Sequence, residues 1–206
     1  MNDVQKDRAR SRGVRRACAL VAVALVAAVL VGQTFSSVVR RTRADNVLSF
    51  GGVTIRLNET MLDAEGEEVP VPVGAEVIAH DTASSRIVRV ENVGDHPAYV
   101  RVRLRMTGTD ASGAVSSADD IVTYRRDGVA ASDAWIEQGG WYYYARALEP
   151  GQTTPALIDG VQLDAAAAAD RFGGGTLTLD IDAGAVQSEN NAASACDAEG
   201  WPQGDE

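Results

Sequence analysis

Val100, Val102, Leu104 and Met106 alternate with Arg101, Arg103 and Arg105. In an extended strand successive side chains point to opposite faces, so a period of two makes this run a strand with one apolar face. Register is fixed as well, because a slip of one residue would bury three charges. The same period recurs along the chain. Val53, Ile55 and Leu57 alternate with Thr54, Arg56 and Asn58, and residues 87–92 and 176–181 alternate likewise. Shorter, partly aromatic strands are predicted at 121–124, 135–138, 141–145 and 153–157. Turn signals separate them: Asn92-Val93-Gly94-Asp95, Asp127-Gly128, Gly139-Gly140 and Pro150-Gly151. One short helix is expected over 164–171, stopped by Gly173-Gly174-Gly175. Seven to nine short strands at such spacing predict an all-β fold, an antiparallel jelly-roll or Ig-like β-sandwich over residues 45–189. Residues 190–206 are small, polar and acidic and predict a flexible tail, with Trp201 able to dock back on the body.

The N-terminus is built differently. Residues 1–16 carry Lys6, Arg8, Arg10, Arg12, Arg15 and Arg16, and sixteen residues from Ala17 to Gly32 then lack any charge. A basic n-region before an apolar run addresses a chain to a membrane and out of the cytosol. A hydrocarbon core needs about 20 residues of helix. Residues 17–39 therefore fit either a signal peptide or a retained hydrophobic helix that anchors the chain with its N-terminus cytoplasmic. Residues 40–44 form a basic linker. Beyond it the composition reverses: residues 45–206 carry ten basic and twenty-seven acidic side chains, a net of −17. Such a domain repels phosphate and lacks a basic footprint, which argues against nucleic acid as a partner. Its 162 residues suffice for a core without disulfide staples. Cys18 lies in the apolar run, so the exported part holds a single thiol, Cys196, with no cation in the adjacent positions to favour a thiolate.

Residues 45–51, Asp-Asn-Val-Leu-Ser-Phe-Gly, run into Val-Thr-Ile-Arg-Leu-Asn-Glu-Thr at 53–60. Val90-Glu91-Asn92-Val93-Gly94, Ala98-Tyr99-Val100-Arg101-Val102, Trp141-Tyr142-Tyr143-Tyr144, Leu148-Glu149-Pro150-Gly151-Gln152-Thr153 and Ala185-Val186-Gln187-Ser188-Glu189-Asn190 follow in order. Together these blocks resemble the TasA/camelysin-like bacterial proteins, which are exported with a SipW-type signal peptide and its dedicated signal peptidase. The resemblance implies a jelly-roll sandwich and assembly into extracellular biofilm-matrix fibres by strand exchange. Signal segments of that family end in a small-aromatic-small pattern, whereas this chain reads Gly32-Gln33-Thr34-Phe35-Ser36-Ser37. No Leu-Pro-x-Thr-Gly sorting signal is present.

Residues suited to chemistry are few. His80 and His96 are sixteen positions apart and do not form the close pair of a zinc hydrolase. No Gly-x-Ser-x-Gly elbow occurs. Asp119, Asp120, Asp180 and Asp182 have the chemistry for Ca²⁺ but not the spacing of a calcium loop. In Trp141-Tyr142-Tyr143-Tyr144 alternate rings face opposite ways, so one pair belongs to the core and the other can be a sugar platform or cross-strand packing. No enzyme activity, metal or cofactor is expected. Two functions remain. The first is a cell-surface structural protein, a homo-oligomer or fibre whose donor strand includes Val47, Val53, Ile55 and Leu57, with Arg101, Arg103 and Arg105 as a candidate interface to an acidic neighbour. The second is a membrane-tethered extracellular module binding sugar, ion or protein.

Overall fold

The computed structural model describes residues 47–50, 52–72, 84–126 and 134–202. The signal or anchor segment 17–39, its flanking basic residues and His80 lie outside them. Every strand pairing among the described residues is antiparallel, so the fold is all-β with one short helix.

Strands β1 (Val47–Phe50) and β2 (Val53–Leu62) form a hairpin with Leu48 opposite Ile55. β3 (Glu68–Pro70) continues on the same side of β2, and β5 (Ile87–Asn92) covers the other. Ile55 thus has two partners, Leu48 and Asn92, and Thr60 has Pro70 and Ile87. β2 is an interior strand. A second sheet is built on β6 (Ala98–Thr109), which pairs over twelve residues with β12 (Thr176–Gln187). On its other side β6 pairs with β10 (Trp141–Tyr144) and with β7 (Val115–Ser117), and β9 (Trp135–Gln138) lies beyond β10. A third sheet places β11 (Gly160–Leu163) between β4 (Ser84–Ser85) and β8 (Val122–Arg125).

The strand expected at 153–157 is instead an irregular rung joining the first and third sheets. Leu157 and Thr154 donate backbone N–H groups to Val88 and Val90 at 2.7 and 2.8 Å, and Asn92 donates to Gln152 at 2.9 Å. Pro155 has no N–H to give, so the segment bows between those bonds. The Thr154 hydroxyl accepts from the Val90 amide at 3.0 Å.

The alternation read in β6 holds. Val100, Val102 and Met106 are fully buried and Leu104 nearly so, while the three arginines between them are half-buried on the opposite face. They join Val53, Ile55 and Leu57 from β2, Val88 and Val90 from β5, Trp135 and Tyr144 from β9 and β10, Leu163 from β11 and Leu177 from β12 in one core. Burying a side chain of this size contributes about 1.5–3 kcal/mol, so this shared core is the main force holding the sheets together.

Two hairpins use one turn design. Asp63 and Asp110 each accept backbone N–H bonds on Oδ1 from the residues two and four positions later, at 2.8–3.0 Å. Gly66 and Gly113 follow with φ of 84° and 87°, the left-handed conformation that glycine adopts without steric cost. The helix α1 (Ala165–Phe172) is capped by Asp164, whose Oδ1 accepts from the Ala167 amide at 3.0 Å. Its buried residues, Ala168 and Phe172, are four apart and share one face. The Phe172 ring fills the space above Gly108, where any Cβ would overlap it.

Two buried polar residues, Asn92 and Arg86, are bonded within the interior. Asn92 is completely buried and donates to the carbonyls of His96 and Leu148, both at 2.8 Å, while accepting from the Gly94 amide at 3.0 Å. Arg86 pairs with Glu59 at 2.9 Å, each side chain 6% exposed.

Residues 190–202 depart from the expected flexible tail. Tyr99, Tyr143 and Val186 form a second small core with Ala195 and Ala198, and Trp141, Cys196 and Trp201 pack against it. The segment is tied down because it brings its own apolar side chains, spaced through an otherwise polar sequence, to the outer face of the β6 sheet.

Candidate functional site

The sequence singled out two features, the segment 47–57 and the arginine row, and the structure places them on different sheets. Segment 47–57 is a hairpin rather than one strand. Val53, Ile55 and Leu57 are buried at 1%, 0% and 5% exposure, because β2 carries them into the shared core. Of this segment only β1 lies at a sheet edge, and Leu48 on it packs partly into the core. The stretch 63–70 continues β2 into the β2–β3 hairpin, held by the bond from the Asp63 amide to the Glu67 carbonyl at 2.9 Å.

Arg101, Arg103 and Arg105 line the outer face of β6, but they are not a solvated row. Arg101 lies 3.9 Å from the Trp141 ring centroid and 4.7 Å from that of Trp201, and Arg103 lies 4.5 Å from Trp141. Asp182, directly across on β12, accepts from Arg103 at 3.0 Å and from Arg105 at 2.9 Å. The contacts therefore run Trp201, Arg101, Trp141, Arg103, Asp182, Arg105 along one face. Each cation–π contact is worth about 0.5–1 kcal/mol where exposed and about 2 where desolvated. Half-exposed ion pairs such as those on Asp182 contribute about 0.2–1 kcal/mol. The aromatic contacts outweigh the ionic ones, and the arginines are engaged within the chain.

Alternate rings of 141–144 divide as the strand period requires. Tyr144 packs against Trp135 in the main core with ring centroids 5.6 Å apart, and Tyr142 borders that core. Tyr143 faces outward and meets Trp201 edge-on at 5.6 Å. The outer pair is covered by the C-terminal segment of the same chain. What the sequence hid is this cover: Trp201 meets Arg101 across one hundred residues, and no local pattern announces such a contact.

The carboxylates are each occupied. Asp120 accepts two bonds from Arg171, which hold its carboxyl below the usual range. Asp119 accepts from the Met106 amide. Asp180 is raised, chiefly by burial and further by its neighbour Asp182, while Arg105 pulls the other way. Burial likewise raises the Tyr124 and Tyr142 hydroxyls. A polar cleft of about 450 Å³ lies between Asp120, Thr123, Gln162 and Asp164, but Asp120 serves Arg171 and Asp164 caps α1. Among the described residues no three His, Cys, Asp or Glu side chains converge on a metal position, and His96 sits exposed on a bend. Among those residues, too, no helix is long and apolar enough to cross a membrane. Comparison with known proteins found no matching family model, no similar curated protein and no similar solved structure.

Proposed function

We propose that this chain is an exported cell-surface structural protein, a subunit of a biofilm matrix or surface fibre, built on a jelly-roll or Ig-like β-sandwich. Residues 17–39 deliver it to the membrane and a signal peptidase. The fold reading is supported by three antiparallel sheets whose strands contribute to one core. The observation that carries the assembly reading is β1. It is a four-residue strand just after the export segment, at the edge of its sheet, with β2 as its one strand partner among the described residues. An edge strand offers unpaired backbone groups to another chain, and β-addition there needs no side-chain chemistry. The burial of β2 narrows the exchanged piece to β1, because donating all of 47–57 would empty the core of Val53, Ile55 and Leu57.

Full-length chain solubilised in detergent tests this against a variant lacking Val47–Phe50. The parent should form filaments as detergent is withdrawn, seen by light scattering and negative-stain microscopy, and the variant should stay dispersed with its β-sheet circular dichroism retained. Filaments of equal yield from the variant would defeat the role of β1. A second reading, the membrane-tethered extracellular binding module, draws support from the same depth of β2, since an immobile interior strand suits a rigid platform.

A further inference from the structure

Residues 191–202 form a clasp over the outer face of the β6 sheet, joined to β12 by the link 188–190. It is fastened by few groups: the Tyr99 hydroxyl donates to the Ala192 carbonyl at 3.0 Å, Arg101 Nη2 donates to the Pro202 carbonyl at 2.8 Å, and Trp201 stacks on Arg101 and Tyr143. Asn191 closes the clasp on itself, accepting from the Glu199 amide at 2.9 Å and donating to the Glu199 carbonyl at 3.2 Å, and it also donates to the Gln187 carbonyl on β12 at 3.1 Å, a bond that opens when the link extends. The small core beneath it shares no residue with the main core. The clasp can therefore lift as a preformed unit without opening the body, as local segments with few buried contacts do. Two buried donors at this seam, Arg101 Nε and Trp201 Nε1, have no hydrogen-bond partner, which further lowers the cost of release.

The link between β12 and the clasp contains Asn190 with φ of 60°. Among the described residues it is the one non-glycine held in the left-handed region. That conformation folds the clasp back onto its own sheet, and an extended link would send it away. We propose that the clasp is exchangeable between two copies of this chain: it lifts at Asn190 and docks on the same Tyr99, Arg101, Trp141 and Tyr143 face of a neighbour. The occupant is fixed by complementarity already visible within one molecule, because a second copy's clasp makes the same contacts and only the link changes conformation. This exchange is separate from any addition at β1, which lies on another sheet.

The test is the monomer–dimer equilibrium of the full chain in detergent micelles, measured by light scattering after gel filtration. Asn190→Val penalises the left-handed link that only the closed monomer needs, and Asn190→Gly removes the penalty. With one link per chain, the dimerisation constant should rise on the order of 30-fold for Asn190→Val and fall for Asn190→Gly. Adding Trp201→Ala to Asn190→Val, or ending that chain at Gln187, should return it to monomer with its β-sheet spectrum intact. Equal constants for the valine and glycine variants would overturn the proposal. So would a dimer that survives loss of residues 188–206, since it would be formed through another surface such as β1.

Discussion

Ile55→Ala is the substitution that separates an interior β2 from a detachable one. Ile55 has no exposed surface, faces the shared core and pairs with strands on both sides. The change deletes three carbons worth about 0.8 kcal/mol each on transfer from water. It also leaves a cavity among residues held by two neighbouring strands, which have little freedom to collapse, so the total falls at about 3–4 kcal/mol. At about 2–4 °C per kcal/mol for a domain of this size, the melting temperature should drop by roughly 10 °C. Leu48 on β1 is half-buried and borders the core from the edge. Leu48→Ala should cost about 1–2 kcal/mol, scaled to its smaller buried area. The assay is thermal unfolding followed by far-UV circular dichroism, with both variants in the same detergent. Equal losses for Ile55→Ala and Leu48→Ala, or no loss for Ile55→Ala, would refute the placement of β2.

Val102→Asp should unfold the body, because it buries a carboxylate in the core of β6, whereas Arg103→Gln, which removes one half-exposed ion pair and one stack, should cost about 1 kcal/mol; denaturant titration compares them. Asn92→Ala should cost about 1–3 kcal/mol in the same titration, since it removes the bonds its fully buried side chain makes to the His96 and Leu148 carbonyls and to the Gly94 amide and frees the 92–96 turn. Asp180 has its carboxyl raised, so its favourable contribution is full below the unfolded carboxylate pKa and is lost as pH rises through the folded one. Asp180→Asn should therefore raise the melting temperature at neutral pH, with the gain fading as pH falls below the ordinary carboxylate range. A gain that grows on acidification would show the sign to be wrong.

The strands with strict alternation were legible because their pattern is enforced by one buried face: β6 and the start of β12 appear where Val100 to Met106 and Leu177 to Ile181 place them. The helix was legible within one residue through its alanines and the glycines that end it. β3 and β7 were not read, although Asp63 with Gly66 and Asp110 with Gly113 mark both hairpins; three-residue strands are too short to show a period. The rung at 152–158 looked like a strand because its residues are strand formers, and Pro155 bent it. Segment 47–57 reads as one strand in the sequence, and the turn at Gly52, with φ of 100°, breaks it into a hairpin. The arginine row was placed on the correct face, but its partners came from distant parts of the chain: Asp182 from β12 and Trp201 from the clasp. Its chemistry was invisible until the sheet brought them together.

Electron microscopy of unpermeabilised cells displaying the chain, labelled with immunogold against the exposed Gly139-Gly140 hairpin tip between β9 and β10, bears most directly on the proposal of an exported, self-associating subunit. The account predicts gold in linear arrays that extend outside the membrane and vanish when Val47–Phe50 is deleted. Evenly scattered single particles on the surface would contradict assembly in favour of a tethered module, and label that appears only after permeabilisation would contradict export itself.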